Sequence, residues 1–312
     1  MTALTHTNQA GESLEPHRPA AIAGGAAADA MPLRLCNGLA TLWRAEPLLT
    51  GTALFLLALL IPAAIGLWID PRLITGAPAW LKPAKFAIST AIYVLTLAWV
   101  FTYLPDWPRT RRLVGRTTAV VLIGELAIVN LQAWRGTPSH FNVGTPLDAA
   151  LLAVMGIGIL IQTAASVAVA VALWRQRFTD RALGWALRLG MTLAIIGAMT
   201  GGLMTRPTPA QMTEVRATGR MLTVGAHTVG APDGGPGLPL TGWSTRHGDV
   251  RVPHFVGLHA IQILPLVTLL VFRRRTETTR LRLTLIFAFV YAAVFVALLA
   301  QAMRGLPLLA IG

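Results

Sequence analysis

Apolar residues run through this chain in long blocks. After a polar, then Ala/Gly-rich N-terminal stretch, seven blocks follow at 48–69, 84–104, 114–134, 148–174, 184–204, 254–272 and 283–303. Each is close to the ~20 residues a helix needs to cross the hydrocarbon core of a bilayer. Periodicity cannot separate such runs from helices buried in a soluble core, but length does. The pattern predicts an all-α polytopic membrane protein, a seven-helix transmembrane bundle whose fourth helix is long enough to tilt. Residues 1–47 contain no run of that length and no basic segment leading into an apolar one. They predict a disordered cytoplasmic tail without a cleavable leader, carrying His6 and His17 and a short surface helix near Pro32–Arg44.

Composition sharpens this picture. Of 312 residues, 54% are hydrophobic and 12% charged, with mean hydropathy +0.61; a soluble domain carries about 25% charged residues. The net charge of +13 would suit nucleic acid, but its distribution does not. The arginines gather in short connections: Arg109, Arg111, Arg112 and Arg116 after the second block, Arg175, Arg177 and Arg181 after the fourth, Arg273, Arg274, Arg275, Arg280 and Arg282 after the sixth. That is the signature of membrane orientation. It predicts an inner (plasma) membrane protein in a lipid bilayer, with no nucleic-acid partner, the N-terminus cytoplasmic and the C-terminus extracytoplasmic. Residues 48–312 form the membrane domain, with 205–253 an extracytoplasmic loop or lid. Cys36 is the only cysteine, so no internal disulfide and no cysteine-based metal site can form. Of the 26 basic residues only Lys82 and Lys85 are lysines, which suggests a place for a compact ammonium rather than a planar fork.

A weak parallel internal repeat accompanies the blocks. At a constant offset of 169 residues, blocks two and three align with six and seven, and QAWRGTP (132–138) falls on QAMRGLP (301–307). Parallel copies related by an axis along the membrane normal are a recurrent transporter architecture.

Polar residues inside the blocks are the candidate chemistry, because they are costly to hold in hydrocarbon. Glu125 is the only carboxylate within the blocks apart from Asp148 at a helix start. It lies ten residues below Arg135, roughly 15 Å deeper on a helix. Helical spacing puts Lys85 with Ser89, Gln132 with Arg135, and His259 with Gln262 on shared faces, and block seven contributes Gln301 and Arg304. Thr145-Pro146-Leu147-Asp148 reads as a helix start with threonine as N-cap and proline at N1. His140, in Ser139-His140-Phe141-Asn142, has no such structural role and is placed to reach toward His259.

The segment from Gly225 to Gln262 concentrates the rest, with His227, His247, His254 and His259. A connection as long as 205–253 is usually functional or disordered. His254 and His259 are five apart, so on one helix they point about 140° away from each other and do not share a metal without unwinding. Ligation of haem or zinc by His259 alone stays open, and the metal is unknown. No P-loop, Rossmann fingerprint, HExxH or GxSxG occurs.

Three classes of function remain. In a membrane enzyme, His259, His140 and Glu125 would supply acid/base or metal chemistry. Lys85, Ser89, Gln132, Arg135, Gln262 and Arg304 would hold an anionic small molecule or lipid headgroup. In a proton-coupled transporter or sensor, Glu125 would carry the proton. In a scaffold there is no small ligand. The oligomeric state is not set by any of them.

SHFN followed by TPLDAA, then GAHTVGAPDGGPGLP, WST and HFVGLHAIQ, resemble a group of bacterial multi-pass membrane proteins over most of residues 80–307. The resemblance implies the membrane fold and that these segments belong together, and it carries no substrate, cofactor or activity. Seven-helix membrane hydrolases with a three-histidine zinc site, a serine and an aspartate are a second comparison. Ser89 and Asp148 are present here, but the helical HxxxH of that group is missing.

Overall fold

The computed structural model describes residues 30–310. The chain divides into two units, Met1–Ala40 and Thr41–Gly312. The predicted disordered tail falls mostly on residues 1–29, outside the described residues, and the short helix expected near Pro32–Arg44 is α1 (Ala30–Ala45). From Thr41 the protein is helical. The elements are α2 (Pro47–Ala58) and α3 (Leu60–Ile69), which together make one span, α4 (Leu81–Phe101), α5 (Pro108–Arg135), α6 (Pro146–Arg175) and α7 (Arg181–Met199). After α7 come the short α8 (Gly201–Met204), α9 (Pro209–Thr218), α10 (Arg251–Leu258), α11 (Ala260–Leu270) and α12 (Glu277–Met303). Among the described residues the strands form two antiparallel ladders of two residues a side, β1 (Leu73–Ile74) with β2 (Ala77–Pro78) and β3 (Thr228–Val229) with β4 (Gly248–Asp249), beside isolated bridges at Asn142–Thr223 and Gly237–Ser244. Among the described residues six helices are long and apolar enough to cross a membrane, and the bent pair α10–α11 is a candidate seventh. This is the architecture of a multi-pass membrane protein.

Two boundaries differ from the hydrophobic pattern. Helix α4 starts at Leu81, three residues before its apolar block, because Pro83 is tolerated in a first turn where its missing N–H has no helical partner. Lys82 therefore belongs to the helix rather than to the connection. The sixth block is not one helix but two, meeting at His259 with a bend of 47°. Near the bend the hydroxyl of Tyr291 on α12 donates to the Val256 carbonyl (2.6 Å), and Pro265 follows within α11. Breaks at membrane depth are tolerated where neighbouring side chains satisfy freed backbone groups.

The main core lies between α2, α4, α5, α6 and α7, where Leu49, Leu56, Leu97, Phe101, Leu126 and Leu187 are at most 1% exposed. Helix α7 meets α10 and α11 along a seam of small residues, Ala186, Gly190, Ala194 and Gly197. A Cβ added at Gly197 would stand 2.5 Å from the Gly257 Cα, and one at Gly190 would stand 2.9 Å from the Ala260 carbonyl oxygen. Close backbone approach is how helices associate when lipid is as apolar as leucine.

The two ends of the bundle differ in chemistry. At one end Trp107 Nε1 donates to Gln176 Oε1 (3.1 Å), Arg280 pairs with Asp180 (2.8 Å) and Arg111 pairs with Glu46. The arginine-rich connections are there. At the other end the 70–80 hairpin, the 136–145 loop, the 205–250 connection and the chain after Met303 meet. Val143 N donates to the Leu222 carbonyl (3.0 Å), Val224 N to that of Phe141 (2.8 Å), and Arg72 Nη1 to that of Trp134 (3.1 Å). The two QAxRGxP segments end α5 and α12 there with the same bonds. Gly136 and Gly305 have φ of 72° and 75°, and Thr137 N and Leu306 N return to the carbonyls of Gln132 (3.0 Å) and Gln301 (3.2 Å). Each is a left-handed C-terminal cap.

Candidate functional site

The 205–250 connection is a folded layer rather than a tether. Thr208 and Gln211 form a capping box that starts α9, and the Gln211 amide also brackets Gly225 through both its N–H (3.0 Å) and its carbonyl (2.9 Å). Asp233 is the hub of the next stretch. Its carboxylate accepts from His227 N (3.0 Å to each oxygen), Thr228 N (2.9 Å) and His227 Nδ1 (2.6 Å). Gly234, at φ 97°, then rests on the tip of the 70–80 hairpin, where a Cβ on Gly76 would stand 2.9 Å from the Gly234 oxygen. Asp249 closes the layer: it accepts from Ser244 N (2.9 Å), Arg251 N (3.0 Å), Arg251 Nε (2.9 Å) and Arg251 Nη2 (2.6 Å), and Arg251 Nη2 also donates to the Gly242 carbonyl (2.6 Å). An Asp-x-Arg pair of the same form, Asp70 with Arg72, ties the hairpin to the end of α5. The Arg72 guanidinium, with the Trp80 indole N–H, holds the Asp70 carboxyl well below the usual carboxylate range.

Beneath this layer stands a chain of rings and charges. Lys82, in the first turn of α4, places its ammonium 5.6 Å from the centre of the Phe86 ring. Phe86 meets His140 edge-on (5.7 Å), His140 meets Phe141 (6.2 Å), and Phe141 meets His227 (4.8 Å). The Lys82 ammonium is partly buried and makes no hydrogen bond or ion pair among the described residues. It lies within Coulombic range of Lys85, Arg251, Asp233 and Glu125. Lys85 donates to the Thr241 carbonyl (3.2 Å), tying α4 to the layer above. Burial pushes His140 well below the ordinary imidazole value, helped by the positive charge of Lys82. Burial also lowers His227, against the opposing bond to Asp233. For Asp233 burial acts upward, but the His227 ring and the two backbone N–H groups outweigh it and leave the carboxyl well below its ordinary range. An ionised Asp233 can only accept, so Nδ1 of His227 carries the proton and Nε2 is free as a proton acceptor.

Six of the nine predicted site residues fall into three groups, and Ser89, Arg304 and Glu125 stand apart. Lys85 and His140 belong to the assembly around Lys82. Gln132 and Arg135 come together as expected from their spacing, but around Asp148: Gln132 Nε2 and Arg135 Nη1 both reach Asp148 Oδ1, at 2.9 and 2.6 Å. Thr145 Oγ1 takes the other oxygen (2.6 Å) and accepts from Asp148 N (3.1 Å), so the helix start read from TPLD is also an ion-pair site. His259 and Gln262 sit at the α10–α11 bend. His259 lies 4.2 Å from Phe255, ring to ring, and Phe255 in turn meets Trp243 (5.6 Å). Gln262 Nε2 reaches Thr96 (3.3 Å), while its buried Oε1 makes no hydrogen bond among the described residues. His254 is held by the Gly197 carbonyl (2.9 Å) and Thr200. Ser89 is exposed and bonds its own helix backbone, and Arg304 is exposed with no side-chain partner among the described residues. Glu125 is 5% exposed on α5, beside Gly158 of α6.

Lys82, His227, Asp233 and Arg251 are the members that the sequence does not place among the candidate site residues. The scarcity of lysine pointed at Lys82 as much as at Lys85, and the two Asp-x-Arg pairs were a usable signal for Arg251. Five loop residues, Thr228 to Pro232, separate His227 from Asp233, and no periodicity connects them.

A cleft of about 420 Å³ opens in the loop layer, bordered by Asp233, Gly234, Ser244, Arg246, His247 and Arg251. Its one carboxylate is consumed by His227, whereas the side chains of Arg246 and His247 make no hydrogen bond among the described residues. The cleft thus offers donors and positive charge. Among the described residues no three His, Cys, Asp or Glu side chains are grouped to hold a metal ion. No family model, curated protein or solved structure matches this chain.

Proposed function

We propose that this chain is a seven-span membrane protein that binds a small anion, a carboxylate or phosphate group, at the end covered by the 205–250 layer. The observation that carries the reading is Lys82: a partly buried ammonium with no hydrogen bond or ion pair among the described residues, set over Phe86 with Lys85 and Arg251 nearby. A cation held in protein without a partner is unfavourable, and a bound anion relieves it. The cleft bordered by Arg246, His247 and Arg251 adds positive charge in the layer above, with Arg251 within Coulombic range of Lys82.

Counting α10–α11 as one crossing brings the 205–250 layer and the 271–276 connection to opposite ends, in keeping with the Arg280–Asp180 pair beside α6 and α7. The arginine-rich end is then cytoplasmic, and the anion site and C-terminus face outward from a bacterial inner membrane. Acid/base chemistry on the bound group is a second reading, favoured by the free Nε2 that the His227–Asp233 pair leaves. The repeat reading is supported by the matching ends of α5 and α12.

Calorimetry of the purified protein in phosphatidylcholine nanodiscs, titrated with acetate and with dimethyl phosphate, tests the anion reading. An ion pair at about 4 Å in a dielectric of about 20 contributes about 4 kcal/mol before desolvation is subtracted. Lys82→Met is therefore expected to weaken binding at least about tenfold. Equal binding by wild type and Lys82→Met, or none by wild type, would sink the reading.

A further inference from the structure

On α4, Lys85, Ser89, Ile92 and Thr96 follow one another at four-, three- and four-residue steps, so they form one stripe down the helix. Both ends of the stripe are fastened to other elements. The Lys85 ammonium donates to the Thr241 carbonyl of the loop layer (3.2 Å), and Thr96 Oγ1 accepts from Gln262 Nε2 of α11 (3.3 Å). A second stripe descends from the same turn of the layer. Trp243 meets Phe255 of α10 (5.6 Å), Phe255 meets His259 at the bend (4.2 Å), and Gln262 is three residues further on. These contacts close a frame, with α4 on one side and α10–α11 on the other. The 241–243 turn is its top and the Gln262–Thr96 bond its base. The middle of the frame is uncovered: Ser89 is exposed, Ile92 is 42% exposed and Phe255 48%.

Lys85 and Thr96 are eleven residues apart, roughly 16 Å along a helix, about half of the ~30 Å hydrocarbon core. The frame therefore has the height of one leaflet, with its charge at the headgroup end. That charge is uncompensated. Lys85 has one neutral acceptor and no ion pair among the described residues, whereas Arg251, which holds the next carbonyl, that of Gly242, is paired with Asp249 (2.6 Å). Trp243 sets an indole at the same level, where such rings are favoured between headgroups and chains. Ser89, one turn below Lys85, bonds only its own helix backbone and stands at the depth of the glycerol esters. We propose that the frame is a lateral window holding one anionic glycerophospholipid of the leaflet on the side of the loop layer. Its phosphate meets Lys85, and one acyl chain runs past Ile92 and Phe255 to the Gln262–Thr96 pair. The walls below Lys85 are apolar and open sideways, which suits a lipid chain and not a water-soluble anion. The inference needs the membrane spans and Lys85, and it does not draw on the anion site at Lys82.

The test uses the full chain in phosphatidylcholine nanodiscs carrying a trace of phosphatidylglycerol with a diazirine midway along one acyl chain. After illumination the label is mapped by peptide mass spectrometry. It is expected at residues 89–92 and 255–259, well above the equally lipid-accessible Phe289 and Val296 of α12. One basic residue at an anionic surface favours it about fivefold, so unlabelled phosphatidylglycerol should displace the label about fivefold better than phosphatidylcholine. Lys85→Met should make the two competitors equal, and Lys85→Arg should restore the preference. Ile92→Trp, a change at an exposed position, should fill the window and abolish the label with Lys85 still in place. Label spread evenly over the lipid-facing helices, equal competition in wild type, or labelling unchanged in Ile92→Trp overturns the proposal. Displacement by oleate but not by phosphatidylglycerol identifies a free fatty acid and overturns it too. Lys82→Met is expected to keep the label whether or not it binds acetate, so the window and the anion site fail separately. Loss of label in Lys82→Met but not in Lys85→Met overturns the placing of the headgroup at Lys85.

Discussion

Nδ1 of His227 lies 2.6 Å from Oδ2 of Asp233, and the same carboxylate takes the backbone N–H groups of both His227 and Thr228. One side chain thus fixes the turn that seats Gly234 on Gly76 and also fixes the tautomer of the histidine. Asp233→Asn keeps the size of the group, removes its charge and leaves one acceptor oxygen for three donors. Hydrogen bonds to a charged group contribute about 1.5–3 kcal/mol each. The expected result is a loop layer that opens, read as faster proteolysis between Gly219 and Val250, while the helices keep their circular dichroism. Unchanged cleavage rates would show that the hairpin contact alone holds the layer.

The acid side of the stability profile follows from the same assembly. His140 and His227 are both held below the ordinary imidazole value, and Asp233 below the ordinary carboxylate value. In each case the folded protein binds protons less readily than the unfolded chain. Stability is then fully present above the unfolded values and falls as pH drops, starting near about 6.5 for the histidines and continuing below about 4 for Asp233. Tm recorded across this range should decline on the acid side, and His140→Phe, which keeps the edge contact with Phe86, should flatten the first part of the decline. A Tm that rises on acidification contradicts the assignment of neutral imidazoles.

What was legible beforehand was decided by physical range. Span length is set by bilayer thickness, so the apolar blocks marked the helices, and the cap at Thr145–Asp148 could be read because a cap is a contact between residues three apart. Sharing of faces on α5 was read correctly for Gln132 and Arg135, but the partner that engages both, Asp148, lies across a loop. Lys82 stands out in the sequence by its rarity but lies outside the second apolar block, whereas Pro83 in a first turn lets α4 begin at Leu81. The angle of about 140° between His254 and His259 holds for one continuous helix, but the chain bends at His259, near a Val256 carbonyl that accepts from Tyr291, 35 positions further on. Contacts around Lys82 join α4, the 136–145 loop and the 205–250 layer, and no local pattern encodes them.

The seam between α7 and α10 gives a packing prediction. A Cβ at residue 197 would meet the Gly257 Cα at 2.5 Å, the Gly257 carbonyl carbon at 2.6 Å and Leu258 N at 2.7 Å, all backbone atoms that cannot rotate away. Gly197→Ala must therefore push α10 off α7 and disturb the His254 bond to the Gly197 carbonyl. Overpacking of this kind costs about 1–3 kcal/mol. Gly202→Ala, with nothing within 4 Å of the added carbon, is the control and should be silent. Thermal unfolding in detergent measures both, and equal Tm values for the two variants would refute the close approach.

The two QAxRGxP endings offer the sharpest internal comparison. Arg135 and Arg304 stand at matching positions of matching caps, but Arg135 pairs with the 3%-exposed Asp148 at 2.6 Å, and Arg304 has no side-chain partner among the described residues. Arg135→Ala withdraws a charge-assisted bond from a buried carboxylate that keeps Gln132 and Thr145, a loss of about 1.5–3 kcal/mol. Arg304→Ala withdraws an exposed side chain, and surface changes of that sort usually stay within about 0.5 kcal/mol. Urea or thermal unfolding should therefore separate two substitutions that the sequence pattern treats alike. The arginines also divide by role: if Arg304 serves the anion site, its loss lowers acetate affinity without lowering Tm, whereas Arg135→Ala lowers Tm first. Equal destabilisation by both would show that the shared caps, rather than the Asp148 pair, are what the arginines support.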